Sequence, residues 1–272
     1  MVKVLVGIIK PFSLFFYNRD LIFSMTKKDV IGRYKGSVLG IFWSFFTPLF
    51  MLGLYTFFFR FVFQSKWPDV GDTTADYAVM LFAGLVVHAM AADMIGRSAG
   101  SIIGNANLVK KVVFPIAVLP WITLLSSLFH MFVSMIVLIL FFLLSGGTLQ
   151  WTLLLLPVVL IPLAVLFMGV SWFFAALGVY LRDIEQIMGT LITFLLFTST
   201  VFFSLEHAPQ AIKPLLLLNP ITQIINDLRN ILVYGFLPDF VALGIYSLVA
   251  VVIFYSGFAF FNKVKKGFSD VL

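Results

Sequence analysis

The sequence offers few residues whose types and spacing support metal, nucleotide or covalent chemistry. It has no cysteine, and its three histidines, His88, His130 and His207, stand far apart in the chain. A shared metal site is therefore not indicated. No glycine is followed by lysine, which excludes a phosphate-binding loop of the G-x-x-x-x-G-K-[ST] type. If the protein uses ATP, another chain has to bind and hydrolyse it.

Acidic side chains are also poorly placed for acid–base catalysis. A membrane enzyme acting on a polyprenyl carrier would gather carboxylates or histidines at one membrane face. The acids expected outside the membrane are instead spread over two loops; they are Asp69, Asp72, Asp76, Glu206, Asp227 and Asp239. Asp227 and Arg229 could form a catalytic pair, but an ion pair that is solvated or closes a gate explains them better. The membrane enzyme stays as an alternative hypothesis.

The composition indicates a membrane protein. The chain has 272 residues, of which 61% are hydrophobic and 11% charged, including 33 phenylalanines. Soluble domains are about 45–50% apolar and about 25% charged. Such a chain cannot cover itself with polar surface in water, but a bilayer about 30 Å thick accepts helices of about 20 apolar residues. We therefore predict an all-α, multi-pass membrane protein.

Windows without charge mark the spans, because an ionisable side chain at the centre of a bilayer helix costs about 2.5–3.5 kcal/mol or more. By this criterion the whole chain, 1–272, is one transmembrane domain with six helices. The predicted helices cover residues 37–63, 77–97, 115–144, 151–179, 186–205 and 240–262. Asp93 and Arg97 stand near the end of the second helix, where their spacing allows them to pair on one helix face.

Segments between the spans complete the predicted architecture. Residues 11–35 interleave phenylalanines with basic residues, which indicates a helix in the cytoplasmic membrane interface. Before the last span, prolines break apolar stretches, and Asn219 with Pro220 predicts the start of a helix that ends near Gly235. This segment is predicted as a re-entrant or interfacial helical hairpin, with a surface loop as the simpler alternative.

Basic residues predict the orientation. With both termini in the cytoplasm, most of the 18 Lys and Arg residues lie inside, as the positive-inside rule requires. The formal net charge of +6 is then a property of membrane orientation. Nucleic-acid binding is not expected, because it needs a basic face on a folded soluble domain, which this chain lacks.

Four short motifs on these elements resemble a known family. They are RYKGSVLG at 33–40, followed by Trp43 and Pro48; NANLVKKVVFP at 105–115; YLRD at 180–183; and LNP at 218–220, followed by Arg229. Their order and spacing resemble the permease subunit of ABC type-2 polysaccharide exporters, which carry O-antigen, capsule or teichoic acid. The likeness runs nearly end to end and is greatest to the O-antigen branch.

The resemblance implies partners for this chain. It implies a homodimer in the bacterial inner membrane, with two cytoplasmic ABC ATPase subunits that bind the ATP and Mg, so that this chain itself needs no cofactor. The implied cargo is a polyprenyl-linked polysaccharide. The segment carrying Asn105, Asn107, Lys110 and Lys111 is then the coupling helix that receives ATPase motion, although simple positive-inside anchoring also explains the two lysines.

The resemblance also implies a periplasmic gate. The extracytoplasmic hairpin would close the exit, and its marked residues are Asn219, Pro220, Asp227 and Arg229. The hairpin and the Arg33-Tyr34-Lys35 motif favour a polysaccharide cargo over a drug, haem or lipid, which stay as alternative cargoes. An ion-coupled secondary transporter should show mid-membrane carboxylates and inverted repeats, and neither is found.

Aromatic and hydroxyl side chains of the first and fifth spans are predicted to line the path of the glycan. A sugar polymer has apolar C–H faces that pack on aromatic rings, and many weak, similar contacts permit continuous movement. The predicted lining residues are Phe42, Trp43, Phe46, Tyr55 and Phe59 in the first span and Thr190, Thr193, Phe194 and Phe197 in the fifth. For any single phenylalanine, contact with lipid is the simpler explanation.

Overall fold

The computed structural model describes residues 2–64, 67, 74–111 and 114–272. Within these ranges the chain is helical and forms no strand, which confirms the predicted all-α class. The α-helices are α1 Val2–Tyr17, α2 Arg19–Gly32, α3 Trp43–Thr56, α4 Thr74–Ser98, α5 Ala106–Lys111, α6 Leu119–Leu144, α7 Leu156–Tyr180, α8 Ile184–Phe197, α9 Lys213–Leu218, α10 Thr222–Arg229, α11 Phe240–Val264 and α12 Phe268–Val271.

Among the residues that the structure describes, five helical segments are long and apolar enough to cross a membrane. They contain α3, α4, α6, α7 and α11, and short 3₁₀ or π turns extend several of them. A 3₁₀ turn at Gly40–Phe42 precedes α3, and a π-helical segment at Phe57–Val62 continues it. Another π-helical segment, Asn230–Tyr234, continues α10 and ends at Gly235, whose φ of 69° is left-handed. The expected helix end at Gly235 is thus confirmed.

Helix α4 is the centre of the described fold. It packs against α3, α6, α7, α8 and α10, and residues along its length such as Ala83, Val87 and Met94 are completely buried. A helix surrounded by protein does not face lipid, so polar side chains on it are tolerated where partners are available. His88, Asp93 and Arg97 lie on this helix.

Helices α7 and α11 pack closely against each other. A Cβ added to Gly257 would overlap the carbonyl oxygen of Gly169, and a Cβ at Gly169 would overlap the backbone at Ile253 and Phe254. Two helix backbones approach this closely only where both lack side chains at the crossing. The glycines therefore fix where α11 crosses α7, while much of the rest of α11 is exposed.

Helix α3 is at the periphery of the described fold. Only Ser44 and Leu52 among its residues are buried, although this segment is hydrophobic enough to cross a membrane. Most of its aromatic surface thus faces outward. A turn with left-handed glycines, Gly36 at φ 90° and Gly40 at φ 53°, leads into it, and glycine adopts such φ values without steric cost.

The segment predicted as an interfacial helix over 11–35 is divided between α1 and α2. The break lies at Asn18, whose side-chain Nδ2 donates to the carbonyl oxygen of Leu14 at 2.8 Å. Helix α2 then packs against α6. The start of the chain therefore lies against the transmembrane core through α2.

The fifth predicted span, 186–205, differs most from the structure. Helix α8 ends at Phe197 and has 14 residues, so it is about 21 Å long, short of the roughly 30 Å of a hydrocarbon core. The chain leaves the helical path because the carbonyl groups of Thr200 and Val201 accept hydrogen bonds from the Arg229 side chain. These carbonyls are therefore turned toward a partner outside the helix.

Candidate functional site

One face of α8 carries four of the predicted lining residues. Thr190, Thr193, Phe194 and Phe197 recur at spacings of three and four, so helical geometry places them together. All four are exposed and line an open groove of about 570 Å³. Leu195, on the opposite side of the helix, is buried. The structure thus brings together the whole set expected in the fifth span.

The set expected in the first span is divided. Phe42, Trp43 and Phe46 are exposed on the outer surface of the 3₁₀ turn and α3, whereas Tyr55 and Phe59 are half-buried. The ring of Phe59 stacks on Phe202, with centroids 4.9 Å apart. Because Phe202 follows α8, this stacking joins the end of the first span to the end of the fifth.

A mainly apolar cavity of about 430 Å³, with several polar side chains in its wall, opens between α3, α4 and α6. Ser44 and Tyr55 line it from α3, His88 lines it from α4, and His130 and Ser134 line it from α6. Of these residues the sequence marked only Tyr55 as a lining residue. Polar side chains that meet at membrane depth favour a path for polar cargo or water.

Four charged side chains form a ring at the end of this cavity that lies next to α2. Asp29 on α2 and Arg33 just beyond its end are related as residues i and i+4, and so are Asp93 and Arg97 on α4. Arg33 Nη2 donates to Asp93 Oδ2 at 2.7 Å, and Arg97 Nη2 donates to Asp29 Oδ1 at 2.6 Å. Each carboxylate lies between two guanidinium groups. Since the ring has two formal charges of each sign, it is neutral as a whole. We refer to these four residues as the ionic ring.

Helix α6 supports the ionic ring with two hydroxyl groups. Ser127 Oγ donates to Asp93 Oδ2 at 2.5 Å, and Arg33 Nη2 donates to Ser126 Oγ at 3.2 Å. The predicted pairing of Asp93 with Arg97 is confirmed, at 3.8 Å. The sequence did not indicate that α2 supplies the other half of the ring. The ring thus fastens α2 to both α4 and α6.

The predicted coupling segment contains the short helix α5. Asn105 precedes it and donates through Nδ2 to the carbonyl oxygen of Ser101 at 2.8 Å, while Asn107 is exposed. The side chains of Lys110 and Lys111 lie outside the part of the chain that the structure describes. Helix α5 packs against α12 at the end of the chain.

A second cavity, of about 690 Å³, lies between α2 and the ends of α4, α6 and α8. Asn105, Asp29, Arg97 and Glu185 are among its lining residues, and Arg33 lines both this cavity and the one between α3, α4 and α6. The ionic ring therefore stands between the two cavities. Any polar group that passed directly from one to the other would have to pass these four charges.

At the opposite end of α4, Arg229 is a buried point of attachment. Its Nε and Nη2 donate to the carbonyl oxygen of Met80 at 3.0 and 2.9 Å, Nη1 donates to Thr200 at 2.7 Å, and Nη2 also donates to Val201 at 3.0 Å. The guanidinium carbon lies 4.2 Å from the centre of the Trp67 ring. Arg229 is buried, and these hydrogen bonds and the ring face compensate for its removal from water.

The expected ion pair between Asp227 and Arg229 is wrong. Residues two positions apart do not face each other on a helix, and Asp227 instead accepts hydrogen bonds from Gln223 Nε2 at 3.0 Å and from the Asp239 backbone N–H at 3.4 Å. Asp227 therefore joins α10 to the start of α11.

Asn219 fastens the turn between α9 and α10 to the end of α8. Its Nδ2 donates to the carbonyl oxygen of Leu195 at 2.9 Å and to Thr198 Oγ1 at 2.8 Å, while its Oδ1 accepts from the Ile221 backbone N–H at 3.0 Å. Pro220 lies in the turn, and α10 begins at Thr222, later than the expected start at Pro220. The side chain of Asn219 holds the turn in place of a helical N-cap.

Asn219 and Arg229 together satisfy backbone carbonyl groups that the end of α8 leaves free. Non-helical backbone at membrane depth is tolerated where protein supplies such partners. Among the described residues, no group of three or more His, Asp or Glu side chains is placed to hold a metal ion. The candidate site therefore consists of cavities with polar side chains in their walls, which lie at both ends of α4, and of exposed aromatic faces on α3 and α8.

Comparison with known proteins assigns this architecture to a family. Residues 20–233 match the ABC-2 type transporter family. Over 258 residues the chain is 28% identical to the O-antigen export system permease protein RfbA of Klebsiella pneumoniae, covering 94% of this chain and 96% of that relative. It is 25% identical to the protein of the same name from Myxococcus xanthus over 254 residues, 93% and 95% of the two chains. It is 24% identical to the polysialic acid transport protein KpsM of Escherichia coli over 241 residues, 86% and 90% of the two chains.

Proposed function

Because the chain belongs to the ABC-2 type transporter family, we propose that it is the permease subunit of an ATP-driven exporter that moves a lipid-linked polysaccharide across the bacterial inner membrane. The observation that carries this proposal is the near full-length similarity to permeases named for O-antigen export. Five helical segments able to cross a membrane agree with it. An O-antigen is the first candidate cargo.

A capsule-type polysaccharide is the second candidate cargo. The similarity to a polysialic acid transport protein favours it, at slightly lower identity and coverage. Polysialic acid is acidic, so binding or export of an acidic polymer can be compared with that of a neutral one by experiment.

The proposed exporter needs a separate motor. The sequence has no phosphate-binding loop, so ABC ATPase subunits supply ATP and Mg binding. Helix α5 with Asn105, Asn107, Lys110 and Lys111 is the proposed contact with that motor, and its packing against α12 supports a shared docking surface. Two ATPase subunits would bind beneath two copies of this chain.

A homodimer is supported by the surfaces that the single chain leaves open. The exposed face of α8 and the weakly buried helix α3 carry aromatic and threonine side chains. We propose that these faces from two copies enclose the channel, lined by Phe42, Trp43, Phe46, Tyr55, Phe59, Thr190, Thr193, Phe194 and Phe197. Rings that contact the C–H faces of sugars weakly and repeatedly permit movement without trapping the polymer.

The proposed topology has six membrane crossings and both termini in the cytoplasm. Helix α8 with the residues that follow it forms the fifth crossing, and α9 with α10 forms the re-entrant hairpin. The hydrogen bonds from Asn219 and Arg229 to free carbonyl groups support this assignment, because they permit irregular backbone inside the membrane. Asn219, Pro220, Asp227 and Arg229 anchor the hairpin as the proposed periplasmic gate.

The ionic ring is the proposed route by which motor motion reaches the transmembrane core. Helix α2 lies beside the cavity that Asn105 also lines, and the ring fastens α2 to α4. A displacement of the cytoplasmic elements would therefore be transmitted to the central helix through two short salt bridges.

Reconstitution tests the proposed function. The permease is purified with the ATPase encoded beside it and placed in proteoliposomes loaded with lipid-linked polysaccharide from the same cells. We expect ATP-dependent appearance of polysaccharide on the far side and no transport with a hydrolysis-deficient ATPase. Transport by the permease alone, in the absence of any ATPase, would overturn the proposal.

A further inference from the structure

We propose that a cavity beside Arg229, at the end of the hairpin, is a binding subsite for a neutral sugar residue of the cargo. The inference rests on the proposed function and deepens it, because it names the class of sugar. The cavity measures about 270 Å³ and is bounded by Trp67, the segment that follows α8 and the end of α10. This volume lies just below the roughly 300–1,000 Å³ typical of ligand pockets, which suits a single sugar-sized group.

Aromatic rings supply the apolar part of the cavity. Trp67, Tyr234 and Phe236 line it, and the rings of Tyr234 and Phe236 are nearly parallel, with centroids 5.9 Å apart and an angle of 12° between their planes. Phe236 is 64% exposed. An exposed ring at the mouth of a polar cavity offers its face to the C–H face of a sugar.

Polar side chains stand around the same cavity. Ser204, Asn226 and Asn230 line it, and each can donate and accept hydrogen bonds. Asn226 Oδ1 accepts from Thr200 Oγ1 at 3.1 Å, which leaves its Nδ2 group without an acceptor among the described residues. Amide and hydroxyl groups beside an aromatic face match a sugar, whose hydroxyl groups surround an apolar ring surface.

The charges at the cavity select against acidic sugars. Among the lining residues, Glu206 and Arg229 are the charged ones. All three guanidinium nitrogens of Arg229 donate to backbone carbonyl groups, and the group also lies against the Trp67 ring. Four of its five N–H groups are therefore engaged, so it cannot form the bidentate contact by which arginine binds a carboxylate, whereas the exposed Glu206 side chain repels one. A neutral sugar meets no such repulsion.

The position of the cavity gives the subsite a role. Its walls come from the hairpin and from the segment after α8. Asn219 and Arg229 join these two parts, because their side chains donate hydrogen bonds to Thr198 and Thr200. A sugar held there contacts both at once. We infer that this contact guides the polymer as it leaves the channel.

Binding measurements on the complete permease–ATPase complex in lipid nanodiscs test the subsite. The probe is fluorescently labelled, lipid-free surface polysaccharide prepared from wild-type cells, and oligomeric polysialic acid serves as an acidic competitor. We expect Phe236→Ala and Asn230→Ala each to raise Kd by about three- to ten-fold, the range that loss of one aromatic contact or hydrogen bond gives. Phe236→Tyr should restore binding, and polysialic acid should compete poorly.

The matched control is Phe240→Ala, which removes a similarly exposed ring (54%) outside the cavity and should leave Kd unchanged. Thermal stability should be the same in all variants, and basal ATP hydrolysis should be unchanged in Phe240→Ala. Unchanged Kd in Phe236→Ala and Asn230→Ala, or competition by polysialic acid equal to that of the unlabelled probe, overturns the subsite while leaving polysaccharide export intact. A wild-type complex that neither binds nor exports polysaccharide rejects the proposed function, and the subsite with it.

Discussion

Asp29 and Arg97, which are 68 positions apart in the chain, meet in a hydrogen-bonded salt bridge of 2.6 Å. This salt bridge fastens α2 to the central helix, α4. A second salt bridge, between Arg33 and Asp93, joins the same two parts of the chain one helical turn away. The four side chains that form these two salt bridges are each about three-quarters buried. Partly buried pairs are screened less than surface pairs, so this ring is a place where single substitutions should have measurable effects.

Asp29→Asn should destabilise the protein by about 1–3 kcal/mol, because it leaves the Arg97 guanidinium partly buried without its carboxylate. Thermal unfolding of the purified permease–ATPase complex measures this, and export should fall in parallel. The double variant Asp29→Asn with Arg97→Gln should lose less than the sum of the two single variants, since both remove the same salt bridge.

The control for the ionic ring is Asp20→Asn, which removes an exposed acid from the same helix. It should change neither the thermal stability of the complex nor the rate of export. If Asp29→Asn behaves like this control, the ring does not fasten α2 to α4 in a way that matters for stability.

Arg229→Lys should also destabilise the protein, by about 1–3 kcal/mol or more, although the charge is kept. A lysine cannot reach Met80, Thr200 and Val201 together, because it lacks the planar fork of the guanidinium group. Limited proteolysis between α8 and α10 should then become faster. Lys213→Ala is the control, because Lys213 is a partly exposed cation at the start of α9 whose ammonium group donates to the Glu206 carbonyl oxygen.

Phe194→Ala and Phe197→Ala should slow export several-fold while thermal stability and basal ATP hydrolysis stay the same. Both rings are exposed on the groove face of α8, so their removal creates no cavity in the core. Export is followed as surface polysaccharide appearing with time. Phe132→Ala removes an equally exposed ring from α6 and should have no effect; an equal loss of export in this variant would assign the α8 rings to general lipid contact.

Replacing Lys110 and Lys111 together by Glu should abolish export and leave membrane insertion intact, if the segment couples the permease to its ATPase. Co-purification of the ATPase and its stimulation by the permease are the measurements. Lys27→Glu, on the exposed surface of α2, serves as the control for loss of positive charge. Normal export by the double variant would reduce the two lysines to positive-inside anchors.

The class of protein and five of the six predicted spans were predictable because the bilayer imposes a local rule; in the part of the chain that the structure describes, five helical segments are long and apolar enough to cross a membrane. A charge-free window of sufficient length must cross or lie in the membrane, and that condition is visible without knowledge of the fold. The pairing of Asp93 with Arg97 was predictable for the same reason, since one helical turn relates them. The face shared by Thr190, Thr193, Phe194 and Phe197 also follows from helical spacing alone.

The end of α8 was not predictable from its own residues. Residues 198–205 are as apolar as a span requires, yet the helix stops at Phe197 because Asn219 and Arg229 bind the carbonyl groups near its end. The hydrogen-bond partners of Arg229 also differ from the predicted ion pair, because the nearest acid in sequence, Asp227, lies on a different face of α10. Three backbone carbonyls, from two other segments, bind the guanidinium instead.

By itself, therefore, the sequence determined the all-helical membrane class, the family resemblance and the residues that share a helix face, since these depend on hydropathy and on spacing within one turn. Only the tertiary structure decided which charges meet, as in the ionic ring, where α8 ends, and which polar groups enclose the cavities. The physical reason is that a buried polar group takes whatever partner the packing of other helices brings within hydrogen-bonding distance, and that partner can stand anywhere in the chain.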